Sequence, residues 1–206
     1  MSSANDQFSF PGFEPAPAVV SRVKPPQTQK RRHSLFFAIR PWWDDLLRVE
    51  AEAAELRQRF GVRKAVEAEQ LHVTCGDLGD FEQAPSAELI EKARRVAATV
   101  ALPPFEAVFE SVTRFNNGGA LVLTEAAGAT PLTAFRDALD HALVQAGVPV
   151  KFQSRLHMTL GYGDGAVSEA LPRPLRWKAQ QFLLLDSHIG QRHHEELGCW
   201  PLLPQA

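Results

Sequence analysis

Apolar and polar positions along the chain predict a strand, a helix and a second strand, in that order and twice over. In the first half, the apolar stretch 33–40 predicts a buried strand. After Pro41, apolar residues recur every three or four positions and predict a helix that ends at Gly61. They are Trp42, Leu46, Val49, Ala53, Leu56 and Phe60. A second apolar stretch follows and contains the string LHVTCG, which begins at Leu71.

The second half has the same order of parts. The stretch 119–126 predicts a strand, and Thr130 and Pro131 are a suitable N-cap and first residue for a helix that ends before Gly147. The apolar face of that helix is formed by Phe135, Leu139 and Leu143. The string LHMTLG then begins at Leu156.

The spacing within the two halves also agrees. Phe36 precedes His72 by 36 residues, and Leu121 precedes His157 by 36 residues. The repeat therefore covers strand, helix and motif together, which predicts duplicated halves related by an approximate two-fold axis. Pro172 and Pro174 interrupt the stretch after the second motif, where we expect no full helix. The remaining predictions are a helix over 86–100, strands over 105–115 and 176–190, and a tight turn at 116–119.

The composition of the 206-residue chain is that of an ordinary globular protein, with 45% hydrophobic and 22% charged residues. Its net charge of −2 excludes the overall basic character of many nucleic-acid binders, so an anionic ligand has to be held locally. We interpret residues 1–32 as a flexible leader, rich in Pro and Ser, and 33–206 as a single domain. The two cysteines favour a reducing compartment, and we find no signal peptide or membrane span, so we expect a cytoplasmic protein.

The repeated His-x-Thr pattern suits acid–base chemistry on a phosphate. On a strand, residues two apart share a face, so His72 and Thr74 point together, as do His157 and Thr159. Across a two-fold axis, the two imidazoles can supply the acid and the base that phosphodiester hydrolysis needs. The threonine hydroxyls can donate to non-bridging phosphate oxygens. This arrangement requires no metal ion and no cofactor.

The paired motifs resemble those of the 2H phosphoesterases, and within them the bacterial 2′-5′ RNA ligase and RNA 2′,3′-cyclic phosphodiesterase family. The similarity covers residues 33–203. LFFAIRP is similar to the opening strand of that family, and EQLHVTCGDLGDF to its first motif with the following Leu-Gly pair. FLLLDSHIGQRHHEELGCWPL, which includes Ser187, resembles its last strands.

The resemblance implies an α/β (α+β) fold with two pseudo-symmetric lobes, whose antiparallel sheets are flanked by helices around a central cleft. It also implies a metal-independent enzyme that opens 2′,3′-cyclic phosphate ends to 2′-phosphates. By motif position His72 is the acid, His157 the base, and Thr74 and Thr159 bind the phosphate. The expected partners are RNA ends or cyclic nucleotides, with no membrane and no obligate protein partner.

The chain departs from the family pattern at three positions. The arginines that commonly follow the two histidines are Gly76 and Tyr162 here, and Leu156 replaces the usual proline. Arg155 lies two residues before His157 and can restore a cation on that face, so we include it as a substrate contact. Tyr162 can either stack on a base or pack within the protein.

Other interpretations stay open. Both histidines can be ordinary strand residues, and the repeat a relic of duplication. A metal site can be drawn from His72, Cys75 and His157 with Cys199 or His193–His194, although this spacing matches no standard zinc pattern. Cys75 itself is either a small buried residue or a reactive thiol, and 192–196 is expected to be an exposed turn. The protein can also bind nucleotides or RNA ends with slow or lost catalysis.

Overall fold

The structure is a computed structural model that describes residues 32–116, 119–151 and 155–203. In these ranges the chain forms one antiparallel sheet of nine strands and three α-helices. The strands are β1 Arg32–Ile39, β2 Val62–Ala65, β3 Val73–Phe81, β4 Phe105–Arg114, β5 Ala120–Thr124, β6 His157–Gly163, β7 Ser168–Ala179, β8 Gln181–Ile189 and β9 His193–Pro201. The helices are α1 Trp43–Arg59, α2 Ala87–Ala97 and α3 Pro131–Gln145.

The sheet consists of two lobes of four strands each, which extend in opposite directions from its centre. Its strand order is β7-β4-β5-β6-β3-β1-β8-β9, and β2 adds to β6 from outside this row. One lobe contains β3, β1, β8 and β9, and the other contains β6, β5, β4 and β7. The predicted two-lobed antiparallel α/β fold is confirmed, and the lobes join into a single sheet at the pairing of Val73 with Met158.

The two long helices begin and end where the sequence predicts. Thr130 caps α3, since its side chain accepts a hydrogen bond from the backbone N–H of Thr133. Gly61 follows α1 with φ +62°, and Gly147 follows α3 with φ +66°, a left-handed conformation that favours glycine. On α1 the predicted apolar face points inward, with Val49 and Ala53 fully buried.

Each long helix contacts the lobe that does not contain the strand before it. Helix α1 follows β1 but packs against β6 and β7. Its Arg57 is buried and donates from Nε to the carbonyl of Leu160 in β6 at 2.9 Å. Helix α3 follows β5 and packs against β3 as well as β4, with Leu139 and Leu143 fully buried.

Two predictions near the C-terminus are wrong. The single strand expected over 176–190 is divided at Gln180 between β7 and β8. Strand β7 also contains Pro172 and Pro174, which it can hold because it lies at the edge of the sheet and can do without some hydrogen bonds. The expected turn at 192–196 is instead the beginning of β9 from His193 onward.

Two further predictions fall partly outside the described residues. Residues 1–31 of the expected leader lie outside them, and Arg32 is the first residue of β1. The turn predicted at 116–119 includes residues 117 and 118, which also lie outside them. In the part of the chain that the structure describes, no helix has both the length and the apolar character needed to cross a membrane.

Candidate active site

The two repeated motifs meet at the centre of the sheet. Val73 pairs with Met158 in antiparallel register, and both side chains are fully buried. Side chains on either side of this pair project from the opposite face of the sheet. Antiparallel geometry brings His72 beside Thr159 and Thr74 beside His157.

Each motif contains a β-bulge just before its glycine. The partners of Thr74 and Gly76 on β1 are consecutive residues, so Cys75 is the extra residue in β3. In the same way, Leu160 is the extra residue in β6, between Thr159 and Gly161. A Cβ at Gly161 would lie 2.5 Å from Val62 Cγ1 and 2.6 Å from the carbonyl oxygen of Lys64. At Gly76 a Cβ would lie 3.4 Å from Leu139 Cδ2. A neighbouring element therefore leaves no room for a side chain at Gly161, whereas a Cβ at Gly76 would make an ordinary contact with α3.

Both imidazoles are oriented by the same backbone contact. His72 Nδ1 lies 2.7 Å from the carbonyl oxygen of Gln70, and His157 Nδ1 lies 3.1 Å from that of Arg155. A carbonyl only accepts hydrogen bonds, so Nδ1 of each ring carries the hydrogen. In the neutral ring this leaves Nε2 with a lone pair, free to exchange a proton with a ligand.

Aromatic rings hold each imidazole in place. The ring of Phe36 stacks on His72 with centroids 5.1 Å apart, and His194 meets the same ring edge-on at 5.2 Å. On the other side of the axis, Phe115 packs edge-on against His157 at 5.0 Å. The two rings are therefore confined by packing as well as by hydrogen bonds.

The surroundings of His72 favour its neutral form. Its pKa is lowered from 6.5 to about 4, chiefly because burial disfavours the charged ring. The hydrogen bond to Gln70 opposes this shift, whereas electrostatic repulsion from His194, His157 and Arg40 adds to it. At neutral pH the ligand-free protein therefore presents an uncharged His72.

A cleft of about 420 Å³ opens on this face of the sheet. Its wall includes His72 and Thr159 from the motifs, together with Tyr162. Among the described residues that line it, none is acidic, whereas Lys64 and Arg192 are basic. The cleft is therefore suited to an anion even though the chain carries a net charge of −2.

The sequence matches one family model, that of the 2′-5′ RNA ligase superfamily, over residues 44–193. The chain belongs to this superfamily. A comparison with curated protein sequences found no match.

Solved structures agree with this superfamily fold. The crystal structure of E. coli LigT complexed with ATP is 18% identical, with a TM-score of 0.65 over 84% of this chain and 99% of that one. A protein described as a phosphoesterase is 21% identical, with a TM-score of 0.64 over 83% and 99%. TT0787 of Thermus thermophilus is 18% identical, with a TM-score of 0.60 over 84% and 100%. At these identities the similarity establishes the fold alone.

The residues expected from the superfamily pattern occupy different parts of the site. His72, Thr159 and Tyr162 line the cleft, whereas Thr74 and His157 flank the central pair at its other end. Tyr162 is 42% exposed, and Lys64 Nζ lies 6.0 Å from the centre of its ring, so it is not a core tyrosine. Arg155 is exposed just before β6, and its contact with the motif is through its backbone carbonyl.

Lys64, Arg192 and His194 also line the cleft, and the sequence did not assign them to the phosphate site. Lys64 lies on β2, a strand of only four residues whose burial shows no alternation. Arg192 is in a turn with φ +53° and is held by Gln70, whose side-chain amide donates to its carbonyl oxygen at 2.6 Å. His194 enters the cleft because β9 pairs with β8 and places it opposite Ser187. The similarity of the last strands to the superfamily was the available signal for this histidine.

The metal site considered from the motif residues is not assembled. Cys75 is buried, and burial raises the pKa of its thiol, so it does not offer a thiolate. Cys199 is an exposed free cysteine on β9. Gly76 lies against Leu139 of α3, so a side chain at this position would point to the core rather than to the cleft.

Proposed function

We propose that this protein hydrolyses 2′,3′-cyclic phosphate ends of RNA or nucleotides to 2′-phosphates, without a metal ion, by paired histidine catalysis. The observation that carries this proposal is the matched pair of imidazoles. His72 and His157 flank one strand pair, each donates Nδ1–H to the carbonyl two residues earlier, and each has a threonine beside it. Such a pair can remove one proton and deliver another on the two sides of one phosphorus atom.

In the proposed reaction His157 is the base and His72 the acid, as the family resemblance implies. His157 Nε2 takes a proton from water while the water oxygen bonds to phosphorus. The bond between phosphorus and the 3′ oxygen breaks, and His72 Nε2–H protonates that oxygen. The product is a 2′-phosphate with a free 3′-hydroxyl, and each group contributes about 10²–10⁴-fold in rate.

His72 has to carry a second ring proton before it can act as the acid. Before substrate binds, the pKa of His72 is lowered to about 4, so few rings carry the proton at neutral pH. A phosphate anion beside the ring favours the imidazolium and raises this pKa. We therefore infer that His72 becomes protonated when the substrate binds.

The rest of the cleft supports a nucleotide substrate. Thr74 and Thr159 would donate to the non-bridging oxygens, Tyr162 would stack on a base, and Lys64 and Arg192 would contact phosphates of the RNA chain. E. coli LigT, which shares the fold, has been crystallised with ATP, with 3′-AMP and with phosphate. We place the enzyme in the cytoplasm, because its two cysteines are free thiols.

The deciding experiment is hydrolysis of a 2′,3′-cyclic nucleotide, and of a short RNA that ends in one, with EDTA present. Phosphorus NMR identifies the product. His72→Ala and His157→Ala are compared with His141→Ala, a histidine on the exposed face of α3. We expect a 2′-phosphate product, a loss of at least about 100-fold in kcat for either motif variant, and no change for His141→Ala.

Two outcomes would contradict the proposal. Substrate binding without turnover would indicate a nucleotide or RNA-end binding protein. Turnover that survives both motif substitutions would exclude the paired histidines as the catalysts.

A further inference from the structure

A second group of histidines and carboxylates lies at the ends of β1, β8 and β9, at the edge of the cleft. Along these strands, Ser34, Ser187 and His194 face the cleft. Strand alternation directs their neighbours to the opposite face: His33 in β1, Asp186 and His188 in β8, and Glu195 in β9. At the end of β8, His188 also reaches the wall of the cleft. We refer to these four residues as the strand-end cluster.

The donor atoms of the strand-end cluster converge on a small volume. His33 Nδ1 lies 2.7 Å from Asp186 Oδ2, and His188 Nε2 lies 3.8 Å from the same oxygen. One ligand atom from each of these three residues falls within 4.8 Å of the other two. Glu195 Oε2 lies 3.6 Å from His188 Nε2 and offers a fourth donor.

Two polar atoms of the cluster are buried without a hydrogen-bond partner, although His188 Nε2 lies within ion-pair distance of two carboxylates. Asp186 is 3% exposed, and its Oδ1 has no hydrogen-bond partner within the described ranges. The same is true of His188 Nε2. A buried carboxylate oxygen and a buried ring nitrogen that lack partners are costly, and native proteins rarely leave them so. The hydrogen bond between His33 and Asp186 satisfies only one of the carboxylate oxygens.

We propose that the strand-end cluster binds a divalent transition-metal ion, Zn²⁺, with His33, Asp186 and His188 as ligands and Glu195 as the fourth. Imidazole and carboxylate are ordinary zinc ligands. Tetrahedral zinc with bonds of about 2.0–2.1 Å keeps its donors roughly 3.3 Å apart. The two measured separations from Asp186 Oδ2, 2.7 and 3.8 Å, lie on either side of this value. All three ligand atoms already lie within 4.8 Å of one another, so side-chain adjustments would form the site.

The metal would have a structural role. It would tie together the ends of three strands whose next residues, Ser34, Ser187 and His194, form one wall of the cleft. The paired histidine chemistry does not pass through it, because none of its ligands is a motif residue. Of the four ligands, only His188 also lines the cleft. The proposal does not rest on the function proposed above.

The test is zinc binding to the full chain after removal of metals, by calorimetry and by the visible bands of tetrahedral Co²⁺ used as a substitute. We expect about one ion per chain, and a Tm that rises by about 5–10 °C with zinc at roughly 100 times Kd. His33→Gln and Asp186→Asn should each weaken binding by at least about 100-fold, since changes outside the ligand set already cost roughly 10–100-fold. His141→Gln should bind as the wild type does.

A double variant, His72→Gln with His157→Gln, separates this site from the cleft imidazoles and should keep its zinc. Where His33→Gln or Asp186→Asn does not fold, imidazole NMR of the wild type decides the matter, because zinc should move the signals of His33 and His188. Absence of binding would overturn the proposal. So would binding that persists without His33 or Asp186, or zinc shifts confined to His72, His157 and His194.

Discussion

Val73 lies opposite Met158, and this antiparallel pair connects the two four-stranded lobes of the sheet. Each of the two residues is the middle of its His-x-Thr motif. The repeat in the sequence and the two-fold relation in the structure therefore meet at the same place. As a result, two motifs that are offset by 85 positions in the chain lie side by side, and each imidazole stands next to the threonine of the other motif.

The lowered pKa of His72 predicts a loss of stability in acid. In the unfolded chain the ring takes up a proton below pH 6.5, whereas in the folded protein it does so only near pH 4. Unfolding therefore binds protons in this range, and the free energy of unfolding falls as the pH is lowered from 6.5 to 4. His72→Gln should remove roughly 1–3 kcal/mol of this loss.

Urea unfolding at pH 7 and pH 4.5, in a buffer without phosphate, measures this change in wild type, His72→Gln and the matched control His141→Gln. The control should lose stability as the wild type does. An equal loss in His72→Gln would show that another group governs the acid sensitivity.

The motif threonines are expected to act through their hydroxyl groups. Thr74→Val and Thr159→Val keep the shape of the side chain but remove the donor to the phosphate. Hydrogen bonds to charged groups contribute roughly 1.5–3 kcal/mol, so kcat/KM for a cyclic nucleotide should fall by about 10- to 100-fold. Thr→Ser at the same positions should restore most of the activity. If the valine and serine variants were equally impaired, packing rather than hydrogen bonding would be the role of these residues.

The two motif glycines should differ in their response to alanine. At Gly161 the added methyl group would collide with β2, at 2.5 Å from Val62 Cγ1, so Gly161→Ala should cost about 1–3 kcal/mol of stability. At Gly76 the closest atom would be 3.4 Å away, and Gly76→Ala should change stability by less than about 1 kcal/mol. Denaturant unfolding of the pair checks this order, and a larger loss at Gly76 would contradict it.

Lys64 and Arg192 are expected to provide the salt dependence of RNA binding. Each contact with a phosphate of a single strand contributes about 0.7 to the slope of log K against log salt. Lys64→Gln and Arg192→Gln should therefore weaken binding of an RNA end and reduce this slope. Arg173→Gln, on the edge strand β7, is the matched control. Unchanged slopes in both cleft variants would mean that the RNA chain leaves the site in another direction.

The helices and the motif strands were predictable because local signals determine them. Helices α1 and α3 have one apolar face each, a residue suited to the first turn and a glycine after the last one. The His-x-Thr motifs were recognisable because the same residue types recur at the same spacing. These features depend on neighbours in the sequence, and the structure agrees with them closely.

The remaining parts depend on pairing between distant segments. Strand β9 begins His193-His194-Glu195-Glu196, where polar residues occupy both faces, so no alternation indicates a strand. Lys64 reaches the cleft only because β2 pairs with β6, nearly a hundred residues later in the sequence. Position 76 could not be assigned to a face, because the bulge at Cys75 reverses the alternation that the sequence suggests.

The crossing of the long helices makes the two halves depend on each other. Helix α1 leaves the strand before it and covers β6 and β7 of the other half, while α3 extends to β3. This arrangement is an exchange of elements within one chain, of the kind that domain-swapped dimers make between two chains. If the two halves were separated at the pairing of Val73 with Met158, each half would lose the helix that covers part of its sheet. We therefore expect the duplicated units to fold together, with the cleft between them forming only when both have folded.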